Sequence, residues 1–205
     1  MTRWKSKTPT DESGQKIKRE AVLREAGRVI GKRGFHNTSL DDVARGLQVS
    51  KGTLYNYVRD KQEILREFQL ASADIARRAF EVGEGRRGTG AQTLRTVLTT
   101  YIHLITEETG GSIALTELDA MRPEDRERAI KTRDMFQRRL LALVKSGISD
   151  GSLRDLEDPK LAVFTFMGAI NWLPRWYSPD GQFSGKELAE MMADLLLNGL
   201  VSESE

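Results

Sequence analysis

The segment from Lys51 to Tyr57 carries side chains whose chemistry suits the binding of duplex DNA. Hydroxyl and ammonium groups bind phosphates, and an amide or a hydroxyl reads base edges in the major groove. Gly52 lets the backbone approach the duplex closely, and a helix that starts after Ser50 offers its N-terminal donors to a phosphate. The composition therefore predicts a DNA-recognition helix from Lys51 to about Val58.

A second short helix must hold this segment in place, and the sequence predicts it directly upstream. Ser39 is expected to cap this helix, with Asp42 at its third position near the positive end of the helix dipole. Apolar residues recur along it from Leu40 to Leu47, and residues 47–50 form a tight turn before the recognition helix. Two short capped helices around such a turn make a helix-turn-helix.

These elements resemble the TetR family of regulators. The matching stretches read GFHNTSLDDVA at residues 34–44, VSKGTLYNY at 49–57 and DKQEIL at 60–65. The resemblance implies DNA contacts at Thr38, Ser50, Lys51, Thr53, Tyr55, Asn56, Tyr57 and Lys61. It implies that Thr38, Tyr55 and Lys61 hold phosphates, and that Thr53, Asn56 and Tyr57 read bases. Gly52 joins the set because it permits close approach.

The chain departs from the family pattern at two positions. The family commonly has glycine where this chain has Gln48, so we expect Gln48 to adopt a left-handed backbone. The family favours phenylalanine where this chain has Val58, which implies a smaller core contact. A helix-turn-helix used only for packing is the alternative interpretation of the motif.

Charge is distributed unevenly along the chain. Residues 1–60 hold 13 Lys and Arg against 7 Asp and Glu, whereas residues 61–205 hold 19 against 23. A basic N-terminal part (the head, residues 1–60) on an acidic remainder (the body, residues 61–205) favours a polyanionic partner for the head alone. Chance variation in surface charge is the alternative explanation.

Composition excludes several other classes of protein. The 205 residues include no cysteine and two histidines, so we expect no disulfide, no metal site and no cofactor. Residues 1–15 are polar, and no apolar run reaches membrane-spanning length. The composition therefore predicts a cytoplasmic protein without a membrane partner.

Helical periodicity over nearly the whole chain predicts an all-α fold of about nine helices. We divide the chain into a flexible basic arm (1–15), a helix-turn-helix DNA-binding domain (16–60), a ligand-binding and dimerisation domain (61–201) and a frayed tail (202–205). Asp60 and Glu63 predict a capping box for the fourth helix. The sixth helix is expected over 113–121, and the eighth from Pro159 to about Tyr177 with a kink at Pro174.

A single recognition helix presents too few side chains for tight, specific binding, so we expect a homodimer that reads two half-sites. The resemblance implies that the last two long helices pair with their copies. The candidate interface residues are Leu161, Phe164, Gly168, Leu188, Met192 and Leu195. Ordinary core packing is the alternative role for these residues.

The body is expected to bind a small-molecule effector. Candidate contacts are Tyr101, Met121, Phe136, Trp172, Arg175 and Trp176. For the first three, plain core packing is the alternative. The kinked segment with two tryptophans and an arginine suits an anionic, ring-bearing ligand, or a capped interface with Arg175 paired to the partner subunit.

The sequence as a whole predicts a ligand-responsive repressor that binds a palindromic operator as a dimer. The C-terminal stretch also resembles TetR regulators of fatty-acid or sterol-ring degradation, which implies a hydrophobic or acyl-CoA-like effector. Two alternatives stay open: an architectural DNA-binding protein without a ligand, and an all-helical enzyme with a docking helix-turn-helix. An enzyme is disfavoured because no catalytic constellation is evident in the sequence.

Overall fold

The computed structural model describes residues 12–108 and 113–199. Over these ranges it contains ten α-helices, one 3-10 turn and no strand, which confirms the predicted all-α class. The helices are α1 (Glu12–Arg33), α2 (Leu40–Leu47), α3 (Lys51–Tyr55), α4 (Lys61–Glu84), α5 (Gly90–Glu107), α6 (Ile113–Thr116), α7 (Pro123–Ser149), α8 (Pro159–Asn171), α9 (Leu173–Trp176) and α10 (Gly185–Asn198), and the 3-10 turn is Leu118–Ala120. None of these helices has the length and apolar character needed to cross a membrane.

The first of two hydrophobic cores lies in the head and is built by α1, α2, α3 and the start of α4. Val22, Leu54 and Phe68 are among its buried side chains. The same core takes in Ile113 of α6 and Met121, which follows the 3-10 turn. Because body side chains complete the head core, the head is packed directly against the body.

The second core lies in the body, between the second half of α4 and helices α5, α7, α8, α9 and α10. Ile75, Leu98, Leu140 and Ile170 are fully buried in it. Helix α4 has 24 residues and contributes to both cores. Its length of about 36 Å makes it a rigid connection between the two.

Local capping chemistry decides where several helices begin, as the sequence predicts. Ser39 and Asp42 form a capping box at α2, in which the Asp42 carboxylate accepts the Ser39 N–H at 2.8 Å. Ser50 caps α3, and Ser184 with Glu187 forms a second capping box at α10. These side chains satisfy backbone donors that the first turn of a helix leaves unpaired.

Gln48 closes α2 in the left-handed conformation expected for it, with φ 57° and ψ 40°. Its N–H lies within bonding distance of the carbonyls of Ala44 and Arg45. Among the described residues, Gln48 is the one non-glycine residue with a positive φ. The turn therefore ends α2 in the way that a C-terminal glycine usually does.

Two predicted helices are shorter than expected. Helix α3 ends at Tyr55 instead of near Val58, because the chain turns at Asn56, although Val58 remains buried as predicted. The sixth helix ends at Thr116, and Glu117 has a non-helical backbone (φ −111°, ψ 30°) before the 3-10 turn.

Near the predicted kink at Pro174, the helix is interrupted at a single residue. Helix α8 ends at Asn171, Trp172 separates the two segments, and α9 has only four residues. Proline lacks the N–H that would bond the carbonyl of Ile170, so the helix cannot continue regularly through this position.

The start of α1 and the cap of α4 also differ from expectation. Helix α1 begins at Glu12, inside the predicted arm of residues 1–15; residues 1–11 and the predicted tail lie outside the described residues. Asp60 caps α4 as predicted, but the Glu63 carboxylate accepts the N–H of Arg59 instead of that of Asp60. The reciprocal bond of the capping box is therefore shifted by one residue.

Candidate DNA interface and effector region

The recognition helix rests on two buried apolar side chains. Leu54 and Val58 are buried in the head core, which directs the polar side chains of this segment outward. The residues of this segment that were predicted to touch DNA are all exposed or half-buried. They are Ser50, Lys51, Gly52, Thr53, Tyr55, Asn56 and Tyr57. The structure brings these predicted contacts together on the surface around α3.

Hydrogen bonds already order the start of this surface. The hydroxyl groups of Ser50 and Thr53 lie 2.8 Å apart, and Ser50 also accepts the N–H of Thr53. The ammonium of Lys51 lies 3.1 Å from an Asp41 carboxylate oxygen, and this hydrogen bond raises the pKa of Lys51. Lys51 therefore stays charged and is held beside α2.

Thr38 and Lys61 point inward, unlike the other predicted contacts. Thr38 is only 3% exposed, and its hydroxyl donates to the carbonyl of Gly34 at 2.9 Å. The ammonium of Lys61 donates to the carbonyls of Phe35, at 2.7 Å, and of Thr38. The nitrogen also lies 4.2 Å from the centre of the Phe35 ring. Both side chains are thus engaged by the turn between α1 and α2.

Two arginines that the sequence reasoning did not single out lie near this turn. Arg33 and Arg45 are both exposed, and each has a guanidinium nitrogen near the same Asp42 oxygen, at 3.6 and 3.2 Å. Hydrogen bonds from Ser39, followed by the two arginines, lower the pKa of Asp42 and keep it ionised. Basic residues are common in the last turn of any helix, so the sequence pattern alone did not distinguish them.

The predicted effector contacts do not form one site in the structure. Tyr101 and Phe136 are buried side by side in the body core, with ring centres 4.2 Å apart, and Phe80 packs against the edge of Phe136. The Tyr101 hydroxyl is hydrogen-bonded to Ser72, and burial raises the pKa of Tyr101. Met121 lies in the head core instead.

The three predicted contacts around α9 lie at the surface. Trp172 and Trp176 are 62% and 52% exposed. A guanidinium nitrogen of Arg175 lies 3.9 Å from a carboxylate oxygen of Glu117, which precedes the 3-10 turn. Arg175 is thus directed toward the segment that joins body and head.

Two open grooves lie along the seam between α4 and α5. Their volumes are about 360 Å³, beside Val82 and Leu104, and about 260 Å³, beside Arg86 and Thr96. None of the predicted effector residues lines either groove.

Several polar atoms buried in the body lack a hydrogen-bond partner. They are the amide oxygens of Gln69 and Asn171, the hydroxyl of Thr99 and the Nδ1 atom of His103. Buried polar atoms are normally paired with protein groups or with ordered water.

Helix α8 presents an apolar stripe that no described part of the chain covers. Leu161, Phe164, Gly168 and Trp172 follow one another at spacings of three or four residues, and Leu161 is 62% exposed. A side chain added at Gly168 would meet open space. Their spacing places Leu161, Phe164 and Gly168 on one face of α8, and Trp172, which directly follows the last residue of α8, continues this stripe.

Helix α10 contributes only part of its predicted interface. Leu195 and its neighbour Met191 are exposed, whereas Leu188 is buried in the body core and Met192 packs partly against it. The reason is that α10 packs against α5, and Leu188 lies on the face turned toward this core. Leu188 therefore serves the core of its own chain.

An exposed recognition helix on a packed helical head, joined by one long helix to an all-α body, defines a helix-turn-helix DNA-binding regulator. The chain belongs to the TetR family. The model of the bacterial regulatory proteins of the tetR family matches residues 22–68, and that of the tetracyclin repressor-like C-terminal domain matches residues 87–200.

Known proteins resemble this chain over most of its length. The transcriptional repressor KstR2 of Rhodococcus jostii is 26% identical over 200 residues, covering 94% of this chain and 95% of its own. The structure of PfmR from Thermus thermophilus superposes with a TM-score of 0.68 at 29% identity, covering 88% of this chain and 99% of its own. AibR in complex with isovaleryl coenzyme A and operator DNA has the same fold, with a TM-score of 0.64, 22% identity and coverages of 87% and 97%.

Proposed function

We propose that this protein is a ligand-responsive transcriptional repressor that binds a palindromic operator as a homodimer. The observation that carries the proposal is the surface around α3, where amide, hydroxyl and ammonium groups are exposed above the buried Leu54 and Val58. Such a surface suits the major groove of a duplex. Its place of action is the cytoplasm, where the operator lies.

The uncovered face of α8 supports the dimer. A twofold axis beside Phe164 and Trp172 would bury this stripe against its copy, together with Met191 and Leu195 of α10. Two heads held in this way read half-sites whose centres lie about 34–36 Å apart, or a multiple of that distance. Each head alone contributes only the few base contacts of one α3.

Base reading and phosphate binding are separable within the surface around α3. Replacing Asn56 with alanine is expected to relax base preference at one operator position, a loss of about 1–3 kcal/mol of discrimination. The measurement is a set of binding isotherms on an operator selected from random duplexes and on its single-base variants. The matched control is Lys51→Met, which should weaken binding to all DNA sequences alike. It should also lower, by about one, the slope of the logarithm of affinity against the logarithm of salt concentration (the salt slope). Uniform weakening by Asn56→Ala would rule out base reading.

Contacts at the head–body junction offer a route from effector to operator. The Gln62 amide donates to the carbonyl of Ala120 at 2.7 Å, and Arg122 pairs with Asp60 at 2.8 Å. Ile113 of α6 lies in the head core. A ligand that displaces the segment from α6 to the start of α7 therefore shifts the head, with a coupling of about 1–3 kcal/mol typical of such proteins.

An acyl-CoA-like molecule is the proposed effector class. AibR shares the fold, and its crystal structure was solved in complex with isovaleryl coenzyme A and operator DNA. The unpaired atoms of Gln69, Thr99 and Asn171 provide polar partners inside an otherwise apolar body. A thioester with a short acyl chain carries both apolar and polar groups, which are the groups that such an interior would require of a ligand.

Isovaleryl-CoA and longer acyl-CoA thioesters are expected to raise the melting temperature and to lower operator affinity by about 5- to 150-fold. Free coenzyme A at the same concentration is the control for binding through the nucleotide alone. Thermal shift and fluorescence anisotropy measure the two effects on the same preparation. Stabilisation by a thioester that leaves operator affinity unchanged would contradict its role as an effector.

A second candidate function is DNA binding without a ligand. The observation that favours it is the close packing of Tyr101, Phe136 and Phe80 where the sequence predicted an effector site. Under this alternative, no compound in a broad thermal-shift screen stabilises the protein, and operator affinity depends on salt alone.

A further inference from the structure

A second contact between head and body joins α1 to α9. The two helices pack against each other, and Gly31, near the end of α1, lies at their contact. A β-carbon added at Gly31 would lie 3.1 Å from the carbonyl oxygen of Pro174 and 3.4 Å from the β-carbon of Pro174. It would also lie 3.7 Å from the Cδ1 atom of Ile113. The missing side chain at Gly31 therefore allows the two helices to touch.

The residues that open α9 each contact a different part of the molecule. Leu173 is 1% exposed and lies in the body core, whereas Pro174 meets α1. Arg175 has a guanidinium nitrogen 3.9 Å from Oε1 of Glu117. The same oxygen would lie 3.7 Å from a β-carbon at Gly34, in the turn that follows α1. Helix α9 is thus anchored in the body and abuts the end of α1.

Helix α9 also continues the element that carries the uncovered apolar stripe. Trp172 alone separates α8 from α9, is 62% exposed and extends the stripe of α8. The N–H groups of Arg175 and Tyr177 donate to the carbonyls of Trp172 and Leu173 at 3.0 and 2.9 Å. These bonds hold the segment together as one unit. A displacement of the end of α8 therefore reaches α1 through a single contact.

We propose that the contact of Gly31 with Pro174 is a joint that sets the orientation of the head on the body and passes movements of the end of α8 to α1. Its effect on DNA rests on the proposed function, because two heads occupy an operator only when their separation matches that of the half-sites. The joint requires the absence of a side chain at position 31, since a close-packed contact accepts an added group only by moving apart.

The test on DNA uses Gly31→Ala and Gly31→Leu. Alanine and leucine both favour a helix more than glycine does, so neither change weakens α1 itself. We expect Gly31→Leu to lower the affinity for a full operator, selected from random duplexes, by about tenfold or more. The affinity for one half of that operator should stay nearly unchanged, because the surface around α3 is not altered. Gly31→Ala should act in the same direction with a smaller effect.

A distance measurement tests the joint without DNA. The chain has no cysteine, so Arg24→Cys on α1 and Arg138→Cys on α7 introduce two exposed sites for spin labels, one in the head and one in the body. Labelled protein diluted into unlabelled protein reports the distance within one chain by pulsed electron paramagnetic resonance. Gly31→Leu should shift this distance distribution, whereas Lys32→Leu, which places its side chain in solvent on the same helix, should leave it unchanged.

An unchanged distance distribution in Gly31→Leu would refute the joint. Equal losses of affinity for the full and the half operator would also refute it, because they indicate damage to the head itself. If Gly31→Leu does not fold, Gly31→Ala decides by hydrogen exchange. The amides of Arg175 and Tyr177 should then exchange faster than in the unaltered protein, and unaltered exchange would overturn the proposal. If the protein selects no duplex at all, the proposed function fails, while a shifted distance would still establish the joint.

Discussion

Replacing Phe164 with arginine should convert the proposed dimer into monomers and lower operator affinity by about 100-fold or more. Near a twofold axis, the substitution places two guanidinium groups in an apolar interface without carboxylate partners. Uncompensated buried charges of this kind cost several kcal/mol of association free energy. A loss of about 2.7 kcal/mol already corresponds to a factor of 100 in the dissociation constant. A monomer also loses the second half-site and with it the combined affinity of two heads.

Light scattering coupled to size exclusion would measure the mass, and anisotropy would measure the affinity for full and half operators. Met135→Arg is the matched control, because Met135 is an exposed apolar residue on α7, outside the α8 stripe. Phe164 is 46% exposed and belongs to neither hydrophobic core, so its replacement should disturb the packing within the chain little. A Phe164→Arg protein that stays dimeric would show that another surface forms the interface.

Replacing Phe136 with alanine should lower the free energy of unfolding by about 3–5 kcal/mol. The side chain is 2% exposed and lies between Tyr101 and Phe80. Its removal deletes two aromatic contacts and leaves a cavity that the rigid packing of α4, α5 and α7 can only partly close. Most of the expected loss comes from the apolar area and the cavity.

Urea unfolding at one fixed protein concentration measures this loss, since the stability of a dimer depends on concentration. The adjacent Met135→Ala is the control; it is exposed and should change stability by less than about 0.5 kcal/mol. A change below about 1 kcal/mol for Phe136→Ala would mean that the site is loosely packed in solution. That result would favour an effector pocket at this position.

The head was largely predictable because its signals are local. Ser39, Ser50 and Asp60 cap helices through bonds to residues three positions away, and the left-handed backbone of Gln48 was expected because the TetR family commonly has glycine at this position. The inward positions of Leu54 and Val58 follow from the helical repeat and the turn after it. Each of these features needs only neighbouring residues to be specified.

The inward positions of Thr38 and Lys61 were not predictable from the motif. The carbonyls that hold the Lys61 ammonium lie 26 and 23 residues earlier in the chain, and carbonyls are present at every position of any sequence. Only the packing of α4 beneath the α1–α2 turn selects Phe35 and Thr38 among them. The family pattern indicated a role for the lysine at this position, and the fold determined which groups its ammonium contacts.

The positions of the predicted effector residues were even less predictable from the sequence. Periodicity marked Tyr101, Met121 and Phe136 as inward-facing, and all three are buried. The tertiary structure divided them between two cores and left Trp172 and Trp176 at the surface, because Pro174 ends α8. The sequence by itself determined where most of the helices lie, which residues cap α2, α3 and α4, and the polar face of α3, since these depend on short-range bonds and on the helical repeat. Which buried residues meet depends on packing between distant segments, and only the assembled fold decides that.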